Sequence, residues 1–338
     1  MRVLVTGVAG FIGSNLAAGL LAEGHTVIGV DNMSQGDKLN IAPFQHNDAF
    51  KMHYTDIRDE QSMLRVAEGC DSIVHLAAFK IPRYSDALDT LLVNSVGSES
   101  VIKAALANRC RILAASTSDV YGKNPQVPFL ETSDLVVGRP EVRRWAYAIS
   151  KMFEEQLLFA YRDRYGVEFV ILRFFGGYGP NQNLTWWGGP QSVFINSALD
   201  DEEIELHGDG QQTRSFTYIS DHIDGIIRAL KSERSSNQVL NLGYTEEISI
   251  EMLARLIWRM VRGDETPKLK LVPYAKFGTY EDVRRRVPGI DKARELLGFE
   301  PKVGLEEGLT KTIRWQIERR LAHGTQTTVP PHLRQLLG

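Results

Sequence analysis

Tyr147 and Lys151 stand four residues apart, and that spacing has a chemical use. On a helix, positions i and i+4 share one face, so the phenol and the ammonium lie together. A nearby cation favours the phenolate and lowers a phenol's pKa. A tyrosine tuned in this way takes or gives a proton near neutral pH. Upstream, an apolar run ends in the hydroxyl-rich segment 116–122, which holds Ser116, Thr117, Ser118 and Asp119. A hydroxyl there is positioned to hydrogen-bond the substrate oxygen that the tyrosine titrates. Taken alone, the Tyr-x-x-x-Lys spacing describes an exposed pair on an amphipathic helix equally well.

A second stretch gives the pair its context. Val3, Leu4 and Val5 run through Thr6 into Gly7, Gly10 and Gly13, and Phe11, Leu16, Leu20 and Leu21 follow at helical spacing. This reads as a buried strand, a tight turn and a helix N-terminus. Gly7 permits the sharp turn, Gly10 a close approach to a pyrophosphate, and Gly13 close packing of helix on sheet. Phosphates then sit at the positive end of the helix dipole. A second strand closes at Asp31, at the distance the dinucleotide-binding fingerprint requires.

The elements that must position these residues alternate through the first half. The pattern predicts strands at 2–6, 26–30, 50–55, 72–76, 111–116 and 169–173. It predicts helices at 11–23, 60–67, 90–107 and 143–165, and reads 32–50 as an irregular loop. Repeated βα units imply an α/β Rossmann fold, a doubly wound parallel sheet with helices on both faces. After Phe174 the character changes. Residues 176–189 form a long loop rich in Gly, Asn and Trp, of the kind that is usually functional. Shorter strands and helices follow, as expected for a smaller C-terminal α/β substrate lobe. The expected division is 1–175 for the Rossmann domain, with 215–245 returning to it. Segments 176–214 and 246–322 form the lobe, and 323–338 a peripheral tail.

Composition narrows the class. The chain has 338 residues, 43% of them hydrophobic, and a net charge of -3, which argues against nucleic acid as a partner. Cys70 and Cys110 have no metal or redox spacing and suit a reducing compartment. No apolar run reaches the ~18 residues of a membrane span, and the N-terminus reads as a strand rather than a signal peptide. The expectation is a cytoplasmic protein with neither a metal nor a membrane partner.

From about Arg2 to about Trp315 the chain resembles the extended short-chain dehydrogenase/reductases that act on nucleotide sugars. The motifs are the glycine turn, Asp31, Asp56-Ile57, His75 to Ala78, the segment 116–122, Tyr147 with Lys151, and Gly208 to Tyr218. The resemblance implies tightly held NAD. Gly7, Gly10, Phe11, Ile12 and Gly13 would cradle it, and Asp31 and Asn32 would meet the adenosine ribose. Asp56 and Ile57 would flank the adenine, while Leu76, Ala77 and Ala78 would line the cofactor. A carboxylate at Asp31 disfavours the 2′-phosphate of NADP. Thr117, Tyr147 and Lys151 would be catalytic, Lys151 also binding the nicotinamide ribose. Arg214 and Arg286 would hold the substrate diphosphate, with Arg284 and Arg285 on a solvated face. Lys80, Arg83, Ser118, Asp119, Gly176 and Gln191 would complete the substrate site.

The leading expectation is an NAD-dependent UDP-hexose 4-epimerase, and the family resemblance implies a homodimer through the helices at about 90–107 and 147–165. The alternative is a UDP-glucuronate decarboxylase. Those enzymes carry Thr-Ser-Glu where this chain has Thr117-Ser118-Asp119, so Asp119 is one methylene short. Gly176 replaces the asparagine of decarboxylases and most epimerases, and reads as room for a sugar ring to turn. Trp186 and Trp187 either stack on the sugar or pack beneath the loop. A non-catalytic NAD-binding regulator shares the fold, but the intact Thr117, Tyr147 and Lys151 set argues against it. A reductase with exchangeable NADPH is opposed by Asp31.

Overall fold

The computed structural model describes residues 1–80, 87–264, 266–325 and 329–336. In chain order the first strands are β1 (Arg2–Thr6), β2 (Thr26–Asp31), β3 (Phe50–Tyr54), β4 (Ser72–His75), β5 (Arg111–Thr117) and β6 (Phe169–Phe174). The short strands β7 (Gly177–Tyr178), β8 (Ile204–His207), β9 (Thr213–Ser215) and β10 (Thr217–Tyr218) follow. Then come β11 (Gln238–Leu242), β12 (Glu247–Ser249), β13 (Leu269–Val272) and β14 (Arg285–Arg286). Seven of these make one sheet in the order β11-β6-β5-β4-β1-β2-β3. Every pairing in it is parallel. The order reverses between β1 and β4, and in such sheets ligands bind in the crevice at that switch point.

Side chains on each strand alternate between the two faces. Val3 and Val5 join one buried cluster, whereas Leu4 joins the cluster on the opposite face. Leu113 and Ile112 divide in the same way, as do Val170 and Phe169. Helices cover both faces, so these strands read as continuous apolar runs. The first helix (Phe11–Ala22) begins directly after the glycine turn.

Two departures from the sequence pattern matter. The expected helix at 90–107 is broken: Ala87–Leu92 and Ser98–Asn108 are α-helical, and Val93–Gly97 forms a π turn between them. The turn carries the buried Asn94, which accepts from Phe79 N at 2.7 Å and donates to Phe79 O and Ser150 Oγ, each at 3.0 Å. Such bulges cluster at functional sites. The tail is not wholly peripheral, because Leu333 is buried in the main core.

Two histidines are fully buried, His75 on β4 and His222 on the helix Ile219–Lys231. Burial pushes their pKa values down, to about 3 for His75, with Lys151 adding to the shift, and about 4 for His222. An unfolded chain takes up both protons near pH 6.5 while the folded chain does not. Stability is therefore intact above that pH and falls as pH drops below it. The expected slope is about 1.4 kcal/mol per pH unit for each histidine. Denaturant melts from pH 7 to pH 5 measure it, and a flat profile would contradict it.

Candidate functional site

Two adjoining cavities open where β1 and β4 end. One, of about 340 Å³, is walled by Gly7, Gly10, Phe11, Ile12, Gly13, Asp31, Asn32, Ile57, Leu76, Ala77 and Ala78. Gly7 sits at φ +70, and a Cβ there would meet Ala77 N at 2.9 Å, so glycine is required on two counts. The first-turn amides of the helix beyond it have no intrahelical acceptors. Asp31 is anchored by Ala9 N at 3.0 Å and Met33 N at 2.8 Å. Burial raises its pKa and those two amides oppose the rise. This cavity fits a dinucleotide: free amide donors meet a diphosphate and a carboxylate meets ribose hydroxyls.

Asp56 is not part of the wall. Arg58 grips its carboxylate with two bonds of 2.9 Å, and Asn32 donates to it at 2.8 Å. Its pKa is held well below the usual carboxylate range by that grip. Asp56 thus fixes the loop while Ile57 supplies the surface.

The second cavity, of about 450 Å³, shares Phe11, Ile12, Leu76, Ala78 and Lys80 with the first. Its wall includes Thr117, Ser118, Asp119, Tyr147, Lys151, Gly176, Gln191, Arg214 and Arg286. Arg83 lies outside the described residues. Thr117 ends β5, where its hydroxyl accepts from Asp119 N at 3.2 Å and reaches Asp119 Oδ2 at 3.4 Å. Tyr147 stands in the first turn of the helix Trp145–Tyr165. The Thr117 side chain lies close enough to the phenol to favour its ionised form.

The electrostatics of the pair differ from the simple expectation. Lys151 and Tyr147 both line the cavity, yet the ammonium is held by Glu154 at 2.7 Å, both side chains being almost fully buried. Burial raises the phenol's pKa, the carboxylates of Asp119 and Glu154 raise it further, and Thr117 alone opposes them. In the free chain the phenol is therefore a held acid rather than a ready base. Glu154 extends a buried chain of hydrogen bonds. It accepts from Ser98 Oγ at 3.1 Å, Ser98 meets His75 Nε2 at 3.0 Å, and His75 Nδ1 meets Thr6 Oγ1 at 2.8 Å.

The opposite wall is a cluster of charges. Arg286 reaches Asp119 at 2.9 Å, and Arg144 reaches the same oxygen at 3.3 Å. Arg144 also meets Asp282 at 2.8 Å and the Tyr280 hydroxyl at 2.7 Å. Arg214 meets Asp282 at 3.1 Å. Burial raises the pKa of Asp119, but Arg286, Arg144, Arg214 and Lys80 outweigh it and hold the acid ionised. Arg214 is pushed down to about 10, first by burial and then by the neighbouring guanidinium of Arg286. Three guanidiniums thus face two carboxylates. Arg284 and Arg285 turn outward to Asp209 and Glu247, each at 2.8 Å.

Several buried polar atoms of this wall have no hydrogen-bond partner: Arg144 Nε, Arg286 Nε, Gln191 Nε2, Gln212 Oε1 and Ser215 Oγ. Buried groups of this kind are nearly always paired, so their gathering here marks the seat of a polar, anionic ligand. Gly176 does not make room. Its φ is +51, and a Cβ would lie 2.1 Å from Ser215 O, so backbone already fills that space. The indoles part company. Trp186 stacks on His207 at 4.4 Å beside the second cavity, while Trp187 meets Phe79 edge-on at 5.3 Å beside the first. Sequence reasoning did not assign Glu154, Asp282 or Tyr280. Arg144 stood in the sequence as part of the segment Arg144–Tyr147 that resembles the decarboxylases, with no role assigned to it.

The described residues contain no cluster able to hold a metal ion, and no helix long and apolar enough to cross a membrane. The family described as GDP-mannose 4,6 dehydratase matches residues 4–312. A UDP-N-acetyl-alpha-D-glucosaminuronate decarboxylase of Bacillus cytotoxicus is 34% identical, across 93% of this chain and 97% of that protein. UDP-glucuronic acid decarboxylase 1 of Xenopus tropicalis is 36% identical, across 95% of this chain and 73% of that one. The crystal structure of UDP-glucuronic acid 4-epimerase from Bacillus cereus, in complex with UDP-glucuronic acid and NAD, superposes with a TM-score of 0.85. It is 27% identical, covering 94% of this chain and all of that one.

The phenol gives the first test of this site. Tyr147→Phe should bind dinucleotide with nearly unchanged affinity and lose about 100-fold or more in turnover. Full turnover in the variant would remove Tyr147 from the chemistry.

Proposed function

The chain belongs to the GDP-mannose 4,6-dehydratase family of extended short-chain dehydrogenase/reductases acting on nucleotide sugars, and from that premise we propose that it decarboxylates a UDP-linked uronate. Its cofactor is NAD, which when bound accepts a hydride from the sugar and can return it. The observation that carries the reading is Asp119, an ionised carboxylate on the cavity wall between Arg286 and Arg144 and next to Thr117. Its shorter side chain does not remove it from the site, because the two guanidiniums come to it. The relatives named as decarboxylases support the same reading.

The residues then take these roles. Arg214 and Arg286, short of anionic partners, receive the diphosphate. Gln191 offers its unpaired amide to the same ligand. Thr117 and Tyr147 bracket the C4 oxygen, and Tyr147 takes the hydroxyl proton as C4 is oxidised. The 4-ketone lies β to the C6 carboxylate. The C5–C6 bond breaks, CO2 departs, and the electron pair enters an enolate whose oxygen Thr117 and Tyr147 hold by hydrogen bonds. A proton then returns to C5, and with the hydride restored to C4, Tyr147 gives its proton back to the C4 oxygen to leave the pentose. Asp119 adds like-charge repulsion against the substrate carboxylate, and the loss of CO2 relieves it. In this division residues 1–175 and 215–245 carry the cofactor fold, and 176–214 with 246–322 the sugar-nucleotide lobe, but each crosses over: Thr117, Asp119 and Tyr147 line the sugar cavity, and Trp315 and Arg319 the cofactor cavity.

A second reading is a 4-epimerase, which shares the oxidation and keeps the carboxylate. The likeness to the Bacillus cereus epimerase favours it. The deciding experiment supplies UDP-glucuronate, and separately UDP-N-acetylglucosaminuronate, and follows anomeric protons and released CO2. We expect a pentose product with stoichiometric CO2. A galacto-configured uronate without CO2 would sink the decarboxylase and establish the epimerase.

We also propose a homodimer. Leu91, Leu92 and Val96 are exposed beside Ile149 and the half-exposed Phe153, on the two helical segments that pack together. Exposed apolar faces of this kind mark interfaces. Sedimentation should give twice the chain mass, and Phe153→Glu should shift it to monomer. A monomeric unmutated chain would exclude the arrangement.

A further inference from the structure

Part of the cofactor cavity's wall comes from the far end of the chain. Trp315 and Arg319 reach it from the last helix, Leu305–Ala322. Arg319 is the one guanidinium lining this cavity among the described residues. Its side chain is 9% exposed. One terminal nitrogen donates to Asn40 Oδ1. The other lies 3.6 Å from Asp37, a carboxylate that is itself 42% exposed. The Trp315 ring lies 5.4 Å from the guanidinium.

Asn40 connects this cation to the turn. Its amide donates to Ala9 O at 3.0 Å, inside the glycine turn, and to Asn181 O at 3.3 Å. A guanidinium has five N–H donors in a planar fork. Here one hydrogen bond and one long ion pair engage it. Burial lowers its pKa, and Asp37 offsets that only in part. A buried, under-neutralised cation one side chain from a diphosphate-binding turn is matched by the diphosphate itself.

We propose that Arg319 binds the diphosphate of the dinucleotide, contributed by the last helix and aimed by Asn40. The inference rests on NAD as the cofactor and not on the sugar or the reaction. Helix-terminal amides then meet one side of the diphosphate and a guanidinium meets the other. The C-terminal helix becomes part of the cofactor site.

The test measures binding, with no turnover. Calorimetry compares NAD, adenosine diphosphate and adenosine on the unmutated chain and on Arg319→Gln. A charge-assisted contact implies that NAD and adenosine diphosphate each bind about tenfold more weakly, or worse, with adenosine unchanged. If Arg319→Gln does not fold, Arg319→Lys serves instead, because it keeps a cation beside Asp37 but loses the fork. It should weaken both diphosphates about threefold or more, again sparing adenosine. Unchanged binding of adenosine diphosphate in a folded variant overturns the assignment. So does a parallel loss of adenosine, which would mean that Arg319 only shapes the cavity.

Discussion

The catalytic geometry depends on a buried carboxylate that lines neither cavity. Glu155 accepts from Arg173 at 3.0 and 2.6 Å and from Ser116 Oγ at 2.5 Å. Arg173 stands on β6 and also donates to the Tyr121 hydroxyl at 2.9 Å. One side chain on the long helix is thereby tied to two strands. Ser116 precedes Thr117, and Glu155 follows Lys151 by one turn. Sliding that helix along the sheet would break a fully desolvated ion pair, which costs several kcal/mol. This pair holds the helix that carries Tyr147 in register with the strand that ends at Thr117. Such pairs are weak evidence for stability but good devices for register.

With that frame rigid, the cavity can hold charge out of balance. Among the described residues, Arg144, Arg214 and Arg286 share the carboxylates of Asp119 and Asp282. Lys151, which the simplest reading would aim at the phenol, is neutralised by Glu154. The free site is therefore cationic on the substrate side and resting at the proton-transfer side. An anionic nucleotide sugar fits the first condition. The second means that the phenol depends on its ligands to become a base, because every carboxylate around it favours the protonated form.

What could be read in the sequence was local. The glycine turn, Asp31 and the Tyr147–Lys151 spacing each occupy a short window, and the doubly wound sheet followed from the βα alternation. Arg286 was separated from Arg284 and Arg285 by the family resemblance, not by any local pattern. The missing pieces are partners brought from far along the chain: Asp282 and Tyr280 to Arg144, and Arg319 to Asn40. Pattern within a window says nothing about them. Glu154 was near in sequence, but an i, i+3 acid beside Lys151 looks like any surface pair until its burial is known. The one-methylene argument against Asp119 considered reach from the backbone alone. It left out Arg144 and Arg286, which approach from the other side. Gly176 was read as free space because a missing side chain was noticed and an approaching backbone was not.

The main core does not stop at the edge of the sheet. Val3, Val5 and Leu20 belong to the same buried cluster as Phe194, Leu206, Leu253, Ile257 and Trp258. Among the described residues, this one cluster joins the part that carries the glycine turn to the part that carries Arg214. The two cannot be traded as modules. A chimera taking its second half from a relative with another sugar preference would join two half-cores shaped for other neighbours. Interiors pack as closely as organic crystals, so mismatched halves leave voids and clashes together. Exchanging only the loops that rim the cavity leaves that shared core intact, whereas a crossover through its middle does not.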